Sequence, residues 1–172
     1  MTTSSLTLTG AQLAIAVVVY GLFAVASVTL AIIDARTKLL PNRIVFPLYA
    51  VGLLGFGLIT ALRRDSSSVR DLVTALVSMA VLYGLFYLIA MFGPMGYGDV
   101  KLAGVIGLYL GWRGIPVVYV GVLLGTVSAA LVSLIVIATR SARHLTWRRL
   151  EVAYGPYLLF GAWAALLLSQ LN

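Results

Sequence analysis

Cysteine is absent from this 172-residue chain, histidine occurs once, and acidic side chains number only five. Each scarcity removes a class of chemistry. Without cysteine there is no disulfide, no thiolate metal ligand and no cysteine nucleophile, and His144 alone cannot build a histidine metal site. No metal and no cofactor are therefore expected. Charge is equally thin, at 10% of residues against roughly a quarter in soluble domains. With 62% hydrophobic residues and a mean hydropathy of +1.07, a soluble domain is excluded. The formal charge of +7 does not point to nucleic acid. Its basic residues sit in short connections between apolar runs, where anionic lipid head groups and the orientation bias account for them.

What the chain has is apolar length. Residues 11–33, 44–62, 72–92, 115–139 and 154–171 each approach the roughly 20 residues that a helix needs to cross hydrocarbon. Residues 100–112 are too few alone, and the flanking 96–99 and 113–114 bring them near that length. The pattern predicts an all-α polytopic membrane bundle of about six transmembrane helices, with residues 1–172 as one integral-membrane domain. The first ten residues carry no basic side chain, and the first run exceeds the roughly 7–15-residue core of a secretory signal, so it reads as a retained span. Glycines inside the runs, at 52, 55, 57, 104, 107, 121 and 125, suit close helix packing.

Basic residues set the orientation. With six spans, one side holds eight: Arg36, Lys38, Arg43, Lys101, Arg140, Arg143, Arg148 and Arg149. The other holds four: Arg63, Arg64, Arg70 and Arg113. The positive-inside bias then puts both termini outside and Asp34 and Asp99 together at the cytoplasmic face. His144 and Trp147, among the arginines of the last long connection, read as interfacial anchors.

Two of the five acids fall where an apolar run meets a connection. Asp99, before an apolar run, has a structural reading as a helix N-cap, with Gly96 and Gly98 shaping a turn. Asp34 has one as a span terminator paired with Arg36 or Lys38. At a helix C-terminus, however, a carboxylate opposes the macrodipole, and ionisable groups at membrane depth point to function. Two acids on one face fit a dyad that shares a proton, one carboxylate activating water and the other protonating the carbonyl oxygen or leaving amine. The two helix ends alone bias that proton toward Asp34. Pro41 and Asn42 either stop one helix and cap the next or hold the Asp34 loop near Asp99. Lys101 either reaches head groups or faces a neighbouring carboxylate, and Pro156 starts a helix.

Three segments carry a family resemblance. Asp34-Ala35-Arg36-Thr37-Lys38-Leu39-Leu40-Pro41-Asn42 resembles the first aspartate motif of type IV prepilin peptidases. Gly96-Tyr97-Gly98-Asp99-Val100-Lys101-Leu102 resembles their GxGD motif, and Tyr154-Gly155-Pro156 a recurring aromatic-Gly-Pro before the last span. The resemblance implies an aspartic peptidase of the cytoplasmic (inner) membrane. Its catalytic pair would be Asp34 and Asp99, and Pro41, Asn42, Gly96, Gly98, Lys101, Gly155 and Pro156 would support them. The implied partner is a prepilin-like protein with a basic leader and a hydrophobic helix. Larger members carry a cysteine-paired region and methylate the product; this chain resembles the compact, peptidase-only form of tight-adherence or Flp-type pilus systems.

Three other classes remain open to these residues. A presenilin-type protease would cut within a transmembrane segment, with its first acid in a Tyr-Asp motif inside a helix, whereas Asp34 follows Ile33 at a helix end and precedes a Pro-Asn turn. A metal-dependent lipid phosphotransferase would need several carboxylates together, and the topology puts Asp65 and Asp71 on the opposite face. A small proton- or cation-coupled transporter would use the acids to bind its ion.

Overall fold

The computed structural model describes residues 10–93, 95–142 and 153–171, with the backbone alone at 140–142. Six helices follow one another: α1 (Gly10–Thr37), α2 (Asn42–Arg63), α3 (Ser66–Phe92), α4 (Tyr97–Gly111), α5 (Ile115–Ala142) and α6 (Gly155–Leu168). No strand occurs among the described residues. The His144 and Trp147 anchors, and the basic connection from Arg143 through Arg149, lie outside the described residues.

Four helices, α1, α2, α3 and α5, are long and apolar enough to cross a membrane. Their outward faces carry Val17, Val25, Leu54, Leu123 and many other exposed apolar side chains, which only a lipid surround tolerates in such number. The protein is an all-α, multi-pass membrane bundle. Short connections at 38–41, 64–65, 93–96 and 112–114 make successive helices antiparallel. The C-terminal ends of α1 and α3 therefore meet the N-terminal ends of α2 and α4, and the start of α6 lies beside the middle of α5 at Thr126.

The doubtful fourth run is a helix of 15 residues, about 22 Å long at 1.5 Å per residue. It is the centre of the bundle rather than a lipid-facing span. Leu102 through Gly111 are all buried, because α4 packs against α2, α3, α5 and α6. A helix enclosed on every side has no polar stripe. Around it, Tyr109 stacks on Phe23 at 4.2 Å, Phe56 stacks on Trp112 at 4.6 Å, and Phe23 stacks on Trp163 at 5.3 Å. Tyr109 donates to Leu48 O and Tyr20 donates to Tyr109 O, so both buried phenols are satisfied.

One boundary moves from its expected place. The polar stretch before residue 72 belongs mostly to α3, which begins at Ser66, six residues early. Asp65 is the reason: its side chain accepts from Ser68 N–H at 2.8 Å and caps the first turn. The Ser68 hydroxyl and amide hold this exposed carboxyl down at about 2, and Arg63 pairs with it at 3.3 Å. Arg64, in the left-handed conformation, closes α2 just before it.

The glycines divide by environment. A Cβ on Gly107 would strike the Ser78 backbone carbonyl and Met79 Cα of α3, which cannot move aside, whereas one on Gly57 meets nothing. Gly107→Ala is expected to lose about 1–3 kcal/mol through overpacking. Gly57→Ala should gain up to about 1 kcal/mol by relieving the helix of glycine's entropy. Thermal unfolding in detergent reads both, and a neutral Gly107→Ala would contradict the α3–α4 contact.

Candidate active site

The antiparallel order brings the segments singled out in the sequence to one end of the bundle. α1 supplies Asp34 in its last turn, α4 supplies Asp99 in its first, and the start of α6 lies against both helices. Asp34 is 4% exposed and turns inward, where its Oδ2 accepts from Gly155 N–H at 3.0 Å. Asp99 is partly buried, and its Oδ1 is sealed from solvent without a hydrogen-bond partner. Gly155, which holds Asp34, also faces Leu102 of α4, three residues from Asp99.

Asp99 is not the cap of α4. That helix starts two residues before it at Tyr97, Gly96 occupies the capping position, and no side chain caps it. Gly98 is the steric necessity of the pair, since a Cβ there would meet Leu40 Cβ at 2.9 Å, whereas one on Gly96 would find its nearest atom at 3.5 Å. Gly98 thus lets the α1–α2 connection lie directly on the first turn of α4.

Asn42 is the first residue of α2 and caps nothing, because Pro41 holds the capping position with φ −70° and ψ 123°. Its Oδ1 instead accepts from Lys101 Nζ at 2.9 Å. Of the two readings of the Pro41-Asn42 pair, tying the Asp34 connection to α4 is the one with a bond behind it. The Lys101 ammonium also lies 5.3 Å from the centre of the Phe46 ring. Upstream, Lys38 takes the left-handed conformation and donates its N–H to Asp34 O at 2.8 Å, which ends α1 and turns the chain toward Pro41.

Tyr49 was not evident from the sequence as part of this arrangement. Its hydroxyl donates to Lys101 O at 2.7 Å, beside the Asn42 bond to the same residue. A signal existed in the spacing: Asn42, Phe46 and Tyr49 fall at i, i+4 and i+7, on one face of α2. The same face opens a cleft of about 590 Å³ between α2 and α3, lined by Phe46, Tyr49, Leu53, Met79, Tyr83 and Lys101 among others.

A bias of the shared proton toward Asp34 rests on the ends of α1 and α4 alone. The N-terminus of α6 also reaches Asp34, so helix ends of opposite sign meet at that carboxyl and the bias toward it does not follow. Pro156 stands in the first turn of α6, as expected. Asp65 and Asp71 sit at the start of α3, the opposite end of the bundle.

A multi-pass helical membrane protein with two carboxyl side chains at one end of its bundle is the class defined by this arrangement. The chain belongs to the type IV leader peptidase family, whose sequence model matches residues 21–138. It is 33% identical over 140 residues to a prepilin leader peptidase/N-methyltransferase of Pseudomonas aeruginosa, covering 80% of this chain and 45% of that one. A Dickeya chrysanthemi protein of the same description is 32% identical over 166 residues, covering 91% and 51%. The Escherichia coli K12 protein is 31% identical over 137 residues, covering 78% and 56%. The chain spans about half the length of the curated relatives it matches. No solved structure matches it.

Asp99 leaves a sealed, unpartnered oxygen, an arrangement that costs stability and is found where function demands it. Asp99→Asn is expected to stabilise the fold by about 1 kcal/mol, through loss of the charge with little change of shape. A lower melting temperature in detergent would show that the carboxylate is structural.

Proposed function

We propose that this protein is a membrane aspartic endopeptidase that removes the short basic leader from prepilin-like precursors. The observation that carries the reading is the placement of Asp34 in the last turn of α1 and Asp99 in the first turn of α4, at one end of the bundle, in a chain of this family. One carboxylate takes a proton from water as the oxygen attacks the scissile carbonyl. The other, protonated, donates to the carbonyl oxygen; as the tetrahedral diol collapses that proton returns to it, and the first carboxyl passes the water-derived proton to the leaving amine. The pair titrates as a unit and returns to its starting state after each cycle.

The substrate couples a basic leader to a hydrophobic helix. Its helix remains in lipid or lies along the apolar cleft between α2 and α3, whose Lys101 wall is two residues from Asp99. The leader then passes the carboxyl pair at the membrane surface. That surface is the cytoplasmic face of the inner membrane, with both termini outside, on the eight-to-four distribution of basic residues. Leader removal without methylation is the activity proposed.

Asp34→Asn and Asp99→Asn should each reduce cleavage of a co-expressed prepilin by about 10³-fold or more while the protein still accumulates in the membrane. Full leader removal by either variant would refute the dyad. For the orientation, single cysteines introduced as Ser67→Cys and Leu39→Cys report opposite ends of α2 and α3. A membrane-impermeant thiol reagent added outside should label position 67 and miss 39, and the reverse pattern would overturn the topology.

A further inference from the structure

We infer that Gly155 is a positioning residue: its backbone N–H fixes the orientation of the Asp34 carboxyl, and its missing side chain leaves the space that carboxyl occupies. The inference deepens the proposed peptidase reading and rests on it for the catalytic consequence.

Three observations converge on this position. Gly155 is buried at the start of α6, and its N–H donates to Asp34 Oδ2 at 3.0 Å across 121 residues of sequence. The first turn of α6 offers this one amide and no rival, because Pro156 has no N–H and the amides of Tyr157 and Leu158 both go to Tyr154 O at 3.2 Å. A Cβ at position 155 would stand 2.7 Å from Asp34 Oδ2 and 3.2 Å from its carboxyl carbon. Alanine there would keep the amide and expel the acceptor.

The start of α6 is itself held. The Tyr154 hydroxyl donates to Thr126 Oγ1 of α5 at 3.1 Å, and its ring lies against Phe86 of α3 at 6.2 Å. The donor therefore belongs to a tethered helix end rather than to a free loop. Asp34, in the last turn of α1, would otherwise rotate among the rotamers that its Cβ allows. One bond selects one of them and leaves Oδ1 as the oxygen available for proton exchange.

The test combines kinetics with a stability cycle in the full-length membrane protein. Gly155→Ala is expected to lower kcat for prepilin cleavage by about 10- to 100-fold, the effect of displacing a catalytic group by an ångström or so, with KM unchanged. Its melting temperature should fall in the wild-type background. In the Asp34→Ala background, where the carboxyl that clashes is gone, the same substitution should lose most of that cost. If Gly155→Ala alone fails to accumulate, recovery of accumulation in Asp34→Ala/Gly155→Ala reports the same coupling. An equal melting-temperature cost in both backgrounds, no recovery of accumulation in the double variant, or wild-type kcat in Gly155→Ala would each overturn the inference. Retained cleavage by Asp34→Asn would instead refute the dyad, and the stability cycle would still decide the contact.

Discussion

A helix of about 22 Å cannot by itself cross about 30 Å of hydrocarbon, and the architecture depends on how α4 escapes that requirement. It does so by exchanging lipid for protein. α2, α3, α5 and α6 surround it, and α1 reaches it through Phe23 and Tyr20. Three of its neighbours outrun it: α1, α2 and α3 measure about 42, 33 and 40 Å by the same rise per residue, whereas α6 is as short as α4. Asp99, in the first turn of this enclosed helix, is partly buried, and charges drawn away from bulk solvent are screened less by water and salt.

The same geometry separates the competing functions. A metal-dependent phosphotransferase needs several carboxylates around one ion, whereas Asp65 and Asp71 are engaged at the other end, Asp65 capping α3 and pairing with Arg63. A carrier that binds a cation would surround it with oxygens, yet the polar partner that Asp34 meets is an N–H donor, which would repel a cation. The presenilin comparison loses one of its contrasts. Asp34 stands inside α1, three residues before its end, so both acids of the pair are helical. What still distinguishes the chain is the Pro41-Asn42 connection and its bond to Lys101 immediately after that acid.

Much of this was legible in the sequence because lipid makes hydrophobic length almost synonymous with helix. The runs at 11–33, 44–62 and 115–139 fall within α1, α2 and α5 to within a few residues at each end. Misreadings cluster where polar side chains choose between local and distant partners. Asp99 before an apolar run reads as a cap from local rules alone; the fold starts α4 two residues earlier and puts Gly96 in the capping position. Asn42 beside a proline has the same local reading, and a lysine 59 positions away takes its oxygen. The Tyr49 bond to Lys101 O needs knowledge of which faces of α2 and α4 meet, which no periodicity in an almost uniformly apolar helix can supply.

Two identical side chains acquire different roles only through what surrounds them. Asp34 and Asp99 share chemistry and end of the bundle, but Asp34 is the more deeply buried and accepts from a backbone donor. Such a donor is robust in a way that a side chain is not, since a backbone N–H carries no rotamer freedom and cannot be lost by substitution to any residue except proline. The vulnerability moves to space instead: the position next to the acid must carry no Cβ, while the residue after it must offer no rival amide. Glycine followed by proline meets both conditions at the start of a helix. The pair therefore has a physical task here beyond beginning the last span, for Pro156 presets the turn and Gly155 admits the carboxyl.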